Sequence, residues 1–185
     1  MAVLKEKRYT AEEFYGLDLD YPCELINGCI YDMSPSPNIG HQRMSGEISY
    51  KVRDYIKKNN GKCEVFSAPT DVKINDDAVV VPDIFVACDP EKFDEQKYNG
   101  APDWVIEIVS PSNASRDYAD KLQLYRNAGV REYWIIDPMN EKIVTYRFET
   151  SSVVEVYTFE DEIPVGIYSE NSDPLFICLN EFIKK

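Results

Sequence analysis

The sequence predicts a single α/β domain built on a central mixed β-sheet flanked by helices, with a helix and a β-hairpin at its N-terminus. Two segments, Val79 to Cys88 and Asp103 to Val109, are apolar on both strand parities, as strands covered on both faces are. A helix-patterned stretch separates the second from another apolar strand, Glu132 to Asp137. That order implies a right-handed crossover between parallel neighbours. The 185 residues are 44% hydrophobic and 29% charged, enough for one sizeable core and too apolar for a disordered chain. No linker, repeat or low-complexity tract divides residues 1–185, which are read as one domain.

Taken in order, Thr10-Ala11-Glu12-Glu13 has capping-box spacing and opens a short helix ending between Gly16 and Asp18. Glu24 to Ile26 and Cys29 to Met33 flank Asn27-Gly28, a pair that tolerates the positive φ of a type I′ hairpin turn. After the Ser34-Pro35-Ser36-Pro37 break, Met44, Ile48, Val52, Tyr55 and Ile56 recur at helical intervals, giving a helix from about residue 40 to 59 that closes near Gly61. Cys63 to Phe66, Asp71 to Ile74 and the long run from Val79, interrupted by Pro82-Asp83, read as strands. Ser115 opens the crossover helix, with Tyr118, Leu122 and Tyr125 as its apolar stripe and Gly129 as its left-handed terminator. Lys142 to Phe148 and Val153 to Phe159 form a further hairpin, and Leu179 to Ile183 a terminal helical turn.

The five cysteines, Cys23, Cys29, Cys63, Cys88 and Cys178, contain no C-x-x-C pair and are read as reduced core thiols. Cys23 cannot reach Cys29, because the Asn27-Gly28 turn pairs Ile26 with Cys29 and leaves Cys23 opposite Asp32. Twenty Lys and Arg against 33 Asp and Glu give a net charge of -13, which repels nucleic acid and anionic membranes at long range. A nucleic-acid partner therefore needs a local patch or metal ions. The stretch from His41 to Lys62 offers such a patch, with a local balance of +4, and Lys51, Arg53, Lys57 and Lys58 are its candidate phosphate contacts; the alternative is a solvated helix face. Arg116, Lys121, Arg126 and Arg131 add a second basic group. No apolar stretch reaches the ~18 residues of a membrane span, and no signal peptide is evident, so no membrane partner and a cytoplasmic location are expected.

Three charges stand where the pattern calls for carbon. Asp83 shares a strand face with Val79, Val81, Phe85 and Ala87, Glu107 shares one with Val105 and Val109, and Lys121 adjoins Leu122 on the crossover helix's apolar stripe. An unpaired buried ion costs several kcal/mol, so these charges must meet partners. Two carboxylates from adjacent strands suit a hard cation such as Mg²⁺ or Mn²⁺, whose remaining positions take water and substrate phosphate. A nearby lysine could steer the attacking water and steady developing charge. The chemistry pointed to is phosphodiester hydrolysis. A structural Asp-Lys-Glu network in an inert binding module remains the alternative, and a two-carboxylate glycosidase would leave Lys121 without a role.

Pro82-Asp83, Glu107-Ile108-Val109-Ser110-Pro111-Ser112, Asp117, Lys121, Tyr125, Gly129-Val130 and Glu132-Tyr133-Trp134-Ile135-Ile136-Asp137 resemble the Uma family of restriction-endonuclease-like proteins, within the PD-(D/E)XK nuclease superfamily. Glu24-Leu25-Ile26-Asn27-Gly28, Met33-Ser34-Pro35 and His41 are similar to the same family, so the resemblance covers nearly the whole chain. It implies a restriction-endonuclease-like core and a metal-dependent endonuclease acting on DNA. Asp83 and Glu107 would be its metal ligands and Lys121 its signature lysine. Position 109 is Val where the superfamily pattern has lysine, which implies that the lysine has migrated to the following helix. Glu24 and His41 are secondary candidates that could touch metal, water or phosphate, and Asp117 is placed to hold Lys121 by an i,i+4 pair. A homodimer would let two sites address both strands of a duplex.

Overall fold

The computed structural model describes residues 7–33, 37–110, 114–149 and 153–183; most of the predicted Ser34-Pro35-Ser36-Pro37 break and part of the Ser110-Pro111-Ser112 motif lie outside them. The first helix is α1 (Ala11–Tyr15), opened by a complete Thr10–Glu13 capping box as expected. Strands β1 (Cys23–Ile26) and β2 (Cys29–Asp32) then form the hairpin, with Asn27 at φ 51° and Gly28 at φ 76°. Their register pairs Ile26 with Cys29 and Cys23 with Asp32, as the two-residue turn requires. Helix α2 (Ile39–Lys58) follows, and all five residues of its expected stripe are buried.

Strands β3 (Glu64–Ser67), β4 (Asp71–Asn75), β5 (Ala78–Val80) and β6 (Ile84–Ala87) come next, then β7 (Lys97–Asn99) and β8 (Trp104–Ile108). The crossover comprises α3 (Ala114–Arg116), a π-helical turn over Asp117–Lys121 and α4 (Leu122–Ala128), and ends at Gly129 in the left-handed region, φ 89°. It delivers the chain to β9 (Glu132–Asp137), which pairs parallel with β8. The hairpin β10 (Lys142–Arg147) and β11 (Val153–Thr158), the short pair β12 (Ile163–Pro164) and β13 (Phe176–Ile177), and α5 (Asn180–Ile183) complete the chain.

Two large sheets result, a five-stranded one in the order β2-β1-β5-β4-β7 and a six-stranded one in the order β11-β10-β9-β8-β6-β3. The six-stranded sheet is the central mixed sheet. Side-chain alternation sends Ile84, Val86, Trp104, Ile106, Trp134 and Ile136 toward α2, while Phe85, Val105, Tyr133 and Ile135 face α4 and the five-stranded sheet. Helix α1 packs Phe14 and Ala11 on Leu25 and Val79, on the far side of that second sheet.

Three expectations need correction. The run from Val79 to Cys88 is not one strand: β5 belongs to the five-stranded sheet and β6 to the six-stranded sheet, with Val81-Pro82-Asp83 carrying the chain between them. Pro82 has no N–H to give a ladder, so the break falls there, and Asp83 sits in a bend rather than inside a strand. The crossover helix buries Leu124 and Tyr125, whereas Tyr118 and Leu122 are only partly covered, because the π turn widens the helix and rotates the residues that follow it. The cysteines are not all reduced. Antiparallel pairing of Glu64 with Ala87 brings their neighbours opposite each other, and Cys63 and Cys88 form a disulfide, leaving Cys23, Cys29 and Cys178 free and half-buried.

Candidate active site

Lys121 is the centre of the site. Its ammonium lies 2.8 Å from Glu24 Oε1, 3.0 Å from Glu107 Oε1 and 3.7 Å from Asp117 Oδ1. Each residue arrives for a local reason. In β1 the alternation that sends Leu25 toward α1 turns Glu24 and Ile26 inward, and Glu24 Oε1 also accepts the Val81 N–H at 2.9 Å. Glu107 sits on the β8 face that carries Val105, and its Oε1 accepts a further bond from the Tyr125 hydroxyl at 2.8 Å. The π turn places Asp117 and Lys121 together, while the Asp117 carbonyl accepts from the Tyr133 hydroxyl at 3.1 Å. π turns are frequent at functional sites.

Asp83 adjoins this cluster without pairing with Lys121 in the way the sequence suggested. Its Oδ2 accepts the Ile108 N–H at 2.7 Å and lies 3.0 Å from His41 Nε2. His41 comes from the first turn of α2, where Asn38 caps its backbone N–H, and its Nδ1 is buried without a hydrogen-bond partner. Glu24, Glu107, Asp117 and Lys121 are each at most 5% exposed, whereas the Asp83 and His41 side chains keep 16% and 12%. The latter two therefore form the accessible edge.

Four carboxylates thus surround one ammonium and one imidazole. Burial pushes the Glu107 carboxyl well above its usual range; Lys121 opposes the shift, and Asp117, Asp83 and Glu24 reinforce it. Burial likewise pushes Asp117 up to about 6 against the pull of Lys121, with Glu24 and Asp83 adding to the rise. For Lys121 burial favours the neutral amine, but the charges of Glu107, Glu24 and Asp117 outweigh it and hold the group well above its ordinary value. Among the described residues no three His, Cys, Asp or Glu side chains form a ready-made metal cage. The donors present are hard oxygens in excess of the local positive charge, a set that fits a cation which retains water and takes ligands from its substrate.

The cluster forms the floor of a cleft of about 620 Å³, whose walls include Tyr15, Leu17, Tyr21, Met33, Pro37, Pro69 and Arg116. A family model described as "Uma2: Putative restriction endonuclease" matches residues 11–168, a span containing every residue named in the cluster. The chain belongs to the Uma2 family. Among solved structures, a "putative nuclease belonging to DUF820" from Anabaena variabilis is similar over 94% of this chain and 96% of its own, with a TM-score of 0.75 and 23% identity, a likeness of fold. The uncharacterized protein slr1290 of Synechocystis sp. is 26% identical over 125 residues, 66% of this chain and 64% of that relative's length.

The Uma2 chain therefore brings Asp83, Glu107, Lys121, Glu24, His41 and Asp117 into one site. Glu24 is closer to its centre than its place in a short hairpin strand indicated, and Asp117 holds Lys121 as the spacing predicted. The Tyr125 hydroxyl was missed, because a tyrosine on an apolar stripe reads as core; its polar end is visible only once Glu107 faces it. The cationic residues of α2 are elsewhere. Lys51, Arg53, Lys57 and Lys58 stand about 15 to 25 Å beyond His41 at 1.5 Å per helical residue. Arg53 Nη2 donates to the Val65 carbonyl at 3.0 Å, Lys58 pairs with Asp54, and Lys51 lies over the Phe182 ring. Among the described residues no helix is long and apolar enough to cross a membrane.

Proposed function

We propose that this Uma2 protein is a metal-dependent endonuclease that hydrolyses phosphodiester bonds in DNA. The observation that carries the proposal is the convergence of Asp83, Glu107 and Lys121 on the floor of an open cleft, with Glu24, Asp117 and His41 around them. Asp83 and Glu107 would hold Mg²⁺ or Mn²⁺, which when bound supplies a Lewis acid for the scissile phosphate and an acidified water. Asp83 is positioned for this by the Ile108 N–H. Lys121, kept cationic by its three carboxylates, offsets the negative charge that builds up on the phosphoryl oxygens. Tyr125 orients Glu107, and His41 Nε2 stands beside Asp83 at the accessible edge of the cleft.

A second reading is favoured by one observation, the saturation of Lys121 by Glu24, Glu107 and Asp117 in a buried pocket. On that reading the cluster fixes the core of a binding module that turns nothing over. Incubating the pure protein with DNA and RNA, with Mn²⁺ and with chelator, separates the two. Catalysis predicts cleavage of DNA that chelator abolishes, and that Asp83→Ala and Glu107→Ala lose. Intact nucleic acid under every condition would favour the inert module.

A further inference from the structure

The residues above the carboxylate cluster differ in kind from those expected of a surface that grips duplex DNA. Of the exposed large hydrophobic residues, Tyr15, Leu17 and Tyr21 line this one cleft, 43%, 37% and 49% exposed respectively. They belong to the segment from α1 to β1, and His41 and Arg116 line the same cleft. Exposed aromatic surface gathered beside a polar site marks a binding wall rather than leftover core. The Tyr15 hydroxyl interacts with the Asp71 carboxylate. Arg116 is a cation on the wall, its guanidinium stacked 4.4 Å over the Tyr31 ring.

A duplex would have to bring its scissile phosphate to part-exposed Asp83 and to Glu107, which is 4% exposed, through a cleft of about 620 Å³. That size falls within the roughly 300–1,000 Å³ of clefts that enclose a single small ligand, and is far short of a base-paired helix. The strongest cationic stretch stands at the far end of α2, and the chain as a whole carries -13, so long-range attraction to a duplex is weak. An unpaired strand is slim enough to enter such a cleft. Its bases have free faces for aromatic rings, and stacking acts at contact irrespective of the protein's total charge.

Resting on the nuclease reading, we infer that the substrate is a single-stranded or frayed segment of nucleic acid, which threads into the cleft with a base stacked on Tyr21 or Tyr15 while its phosphate meets the carboxylate cluster. Arg116 takes a neighbouring phosphate. Tyr15 and Tyr21 are thereby specificity-determining residues. A single-stranded substrate also removes the need for the two-fold dimer that cutting both strands of a duplex would call for.

The test offers the full chain, with Mn²⁺, an equimolar mixture of single-stranded DNA, blunt duplex and duplex with a single-stranded overhang, each carrying a different dye. Binding of the same probes is followed in Ca²⁺ with 2-aminopurine as the base reporter. Single strand and overhang should be cut at least tenfold faster than blunt duplex. Tyr21→Ala should weaken single-strand binding by roughly 5- to 150-fold, the range carried by one base–aromatic stack, and Tyr21→Phe should restore it. Equal or faster cutting of blunt duplex, or unchanged binding in both Tyr21→Ala and Tyr15→Ala, overturns the inference and leaves the nuclease reading standing. Tyrosine-dependent single-strand binding without cleavage upholds the occupant and overturns catalysis. Neither binding nor cleavage of any probe overturns both.

Discussion

Asp83 Oδ2 accepts the backbone N–H of Ile108 at 2.7 Å, so the acid in the bend between the two sheets is fastened to the strand that bears Glu107. One backbone bond thus sets the spacing of both acids. Asp83→Ala should leave that N–H without its acceptor and cost about 1–3 kcal/mol in denaturant unfolding, whereas Asp83→Asn, which can still accept, should cost less. Equal losses in the two variants would mean that the bond does not hold the bend.

Lys121 is the only ammonium bonded to Glu24 and Glu107 among the described residues. Lys121→Met removes it and strands carboxylates in a buried site, so the metal-free protein should lose about 3–5 kcal/mol of stability. Cleavage by Lys121→Ala, which removes the same ammonium and is assayed where the variant remains folded, should fall by about 10²- to 10⁴-fold. A wild-type rate would assign the electrostatic role to another group.

The raised carboxyls give the metal-free protein a definite pH dependence. An acid whose folded-state value lies above its unfolded value binds more protons when folded, so its contribution to stability is present at low pH and is lost as pH rises. For Asp117, raised from 3.8 to about 6, that loss runs between about pH 4 and 6, and Glu107 adds to it in the same direction. Exposed Asp94 and Asp161, both lowered, act in the opposite sense only below that window. Melting temperatures of chelated protein should therefore decline from about pH 4 toward pH 6 relative to Asp117→Asn. Parallel curves for the two proteins would contradict the shift.

Lys51, Arg53, Lys57 and Lys58 are the proposed phosphate contacts remote from the cleft, and Lys51 and Lys57 serve as the test. If a bound strand continues along α2, Lys51→Gln and Lys57→Gln should each reduce the slope of log K against log salt by about 0.7, the value for single strands. Unchanged slopes would identify a solvated face.

Much of this architecture is legible in the sequence where a local rule acts alone. The Thr10 capping box and the Asn27-Gly28 turn with its register follow from short-range chemistry, and the parallel β8–β9 pair from the strand-helix-strand order of a crossover. The charges of Asp83, Glu107 and Lys121 in apolar stretches likewise pointed to one cluster, of which Glu107 and Lys121 are buried and Asp83 stands part-exposed in a bend. What was not legible depends on three-dimensional pairing. The Cys63–Cys88 bridge follows from the β3–β6 register, which no turn between them announces. The π turn at Asp117–Lys121 has no composition of its own, and short strands such as β7 and β12 fall below any periodic signal. Glu24 reads as a half-exposed strand carboxylate until β1 is seen to lie beside β5 and turn it toward Lys121.

The central claim is that the carboxylates about Lys121 are arranged for a divalent cation, and the most direct measurement is the thermal stability of wild type and Asp83→Asn with and without Mg²⁺. A cation that binds only the folded state stabilises it by about 2.7 kcal/mol at one hundred times its dissociation constant. Wild type should therefore melt at a higher temperature as Mg²⁺ is added. Asp83→Asn should lose most of that response while its metal-free form, relieved of one like charge, melts no lower than metal-free wild type. A wild-type melting temperature indifferent to Mg²⁺, together with a clear fall in metal-free Asp83→Asn, would contradict the cation site and leave a structural network in its place.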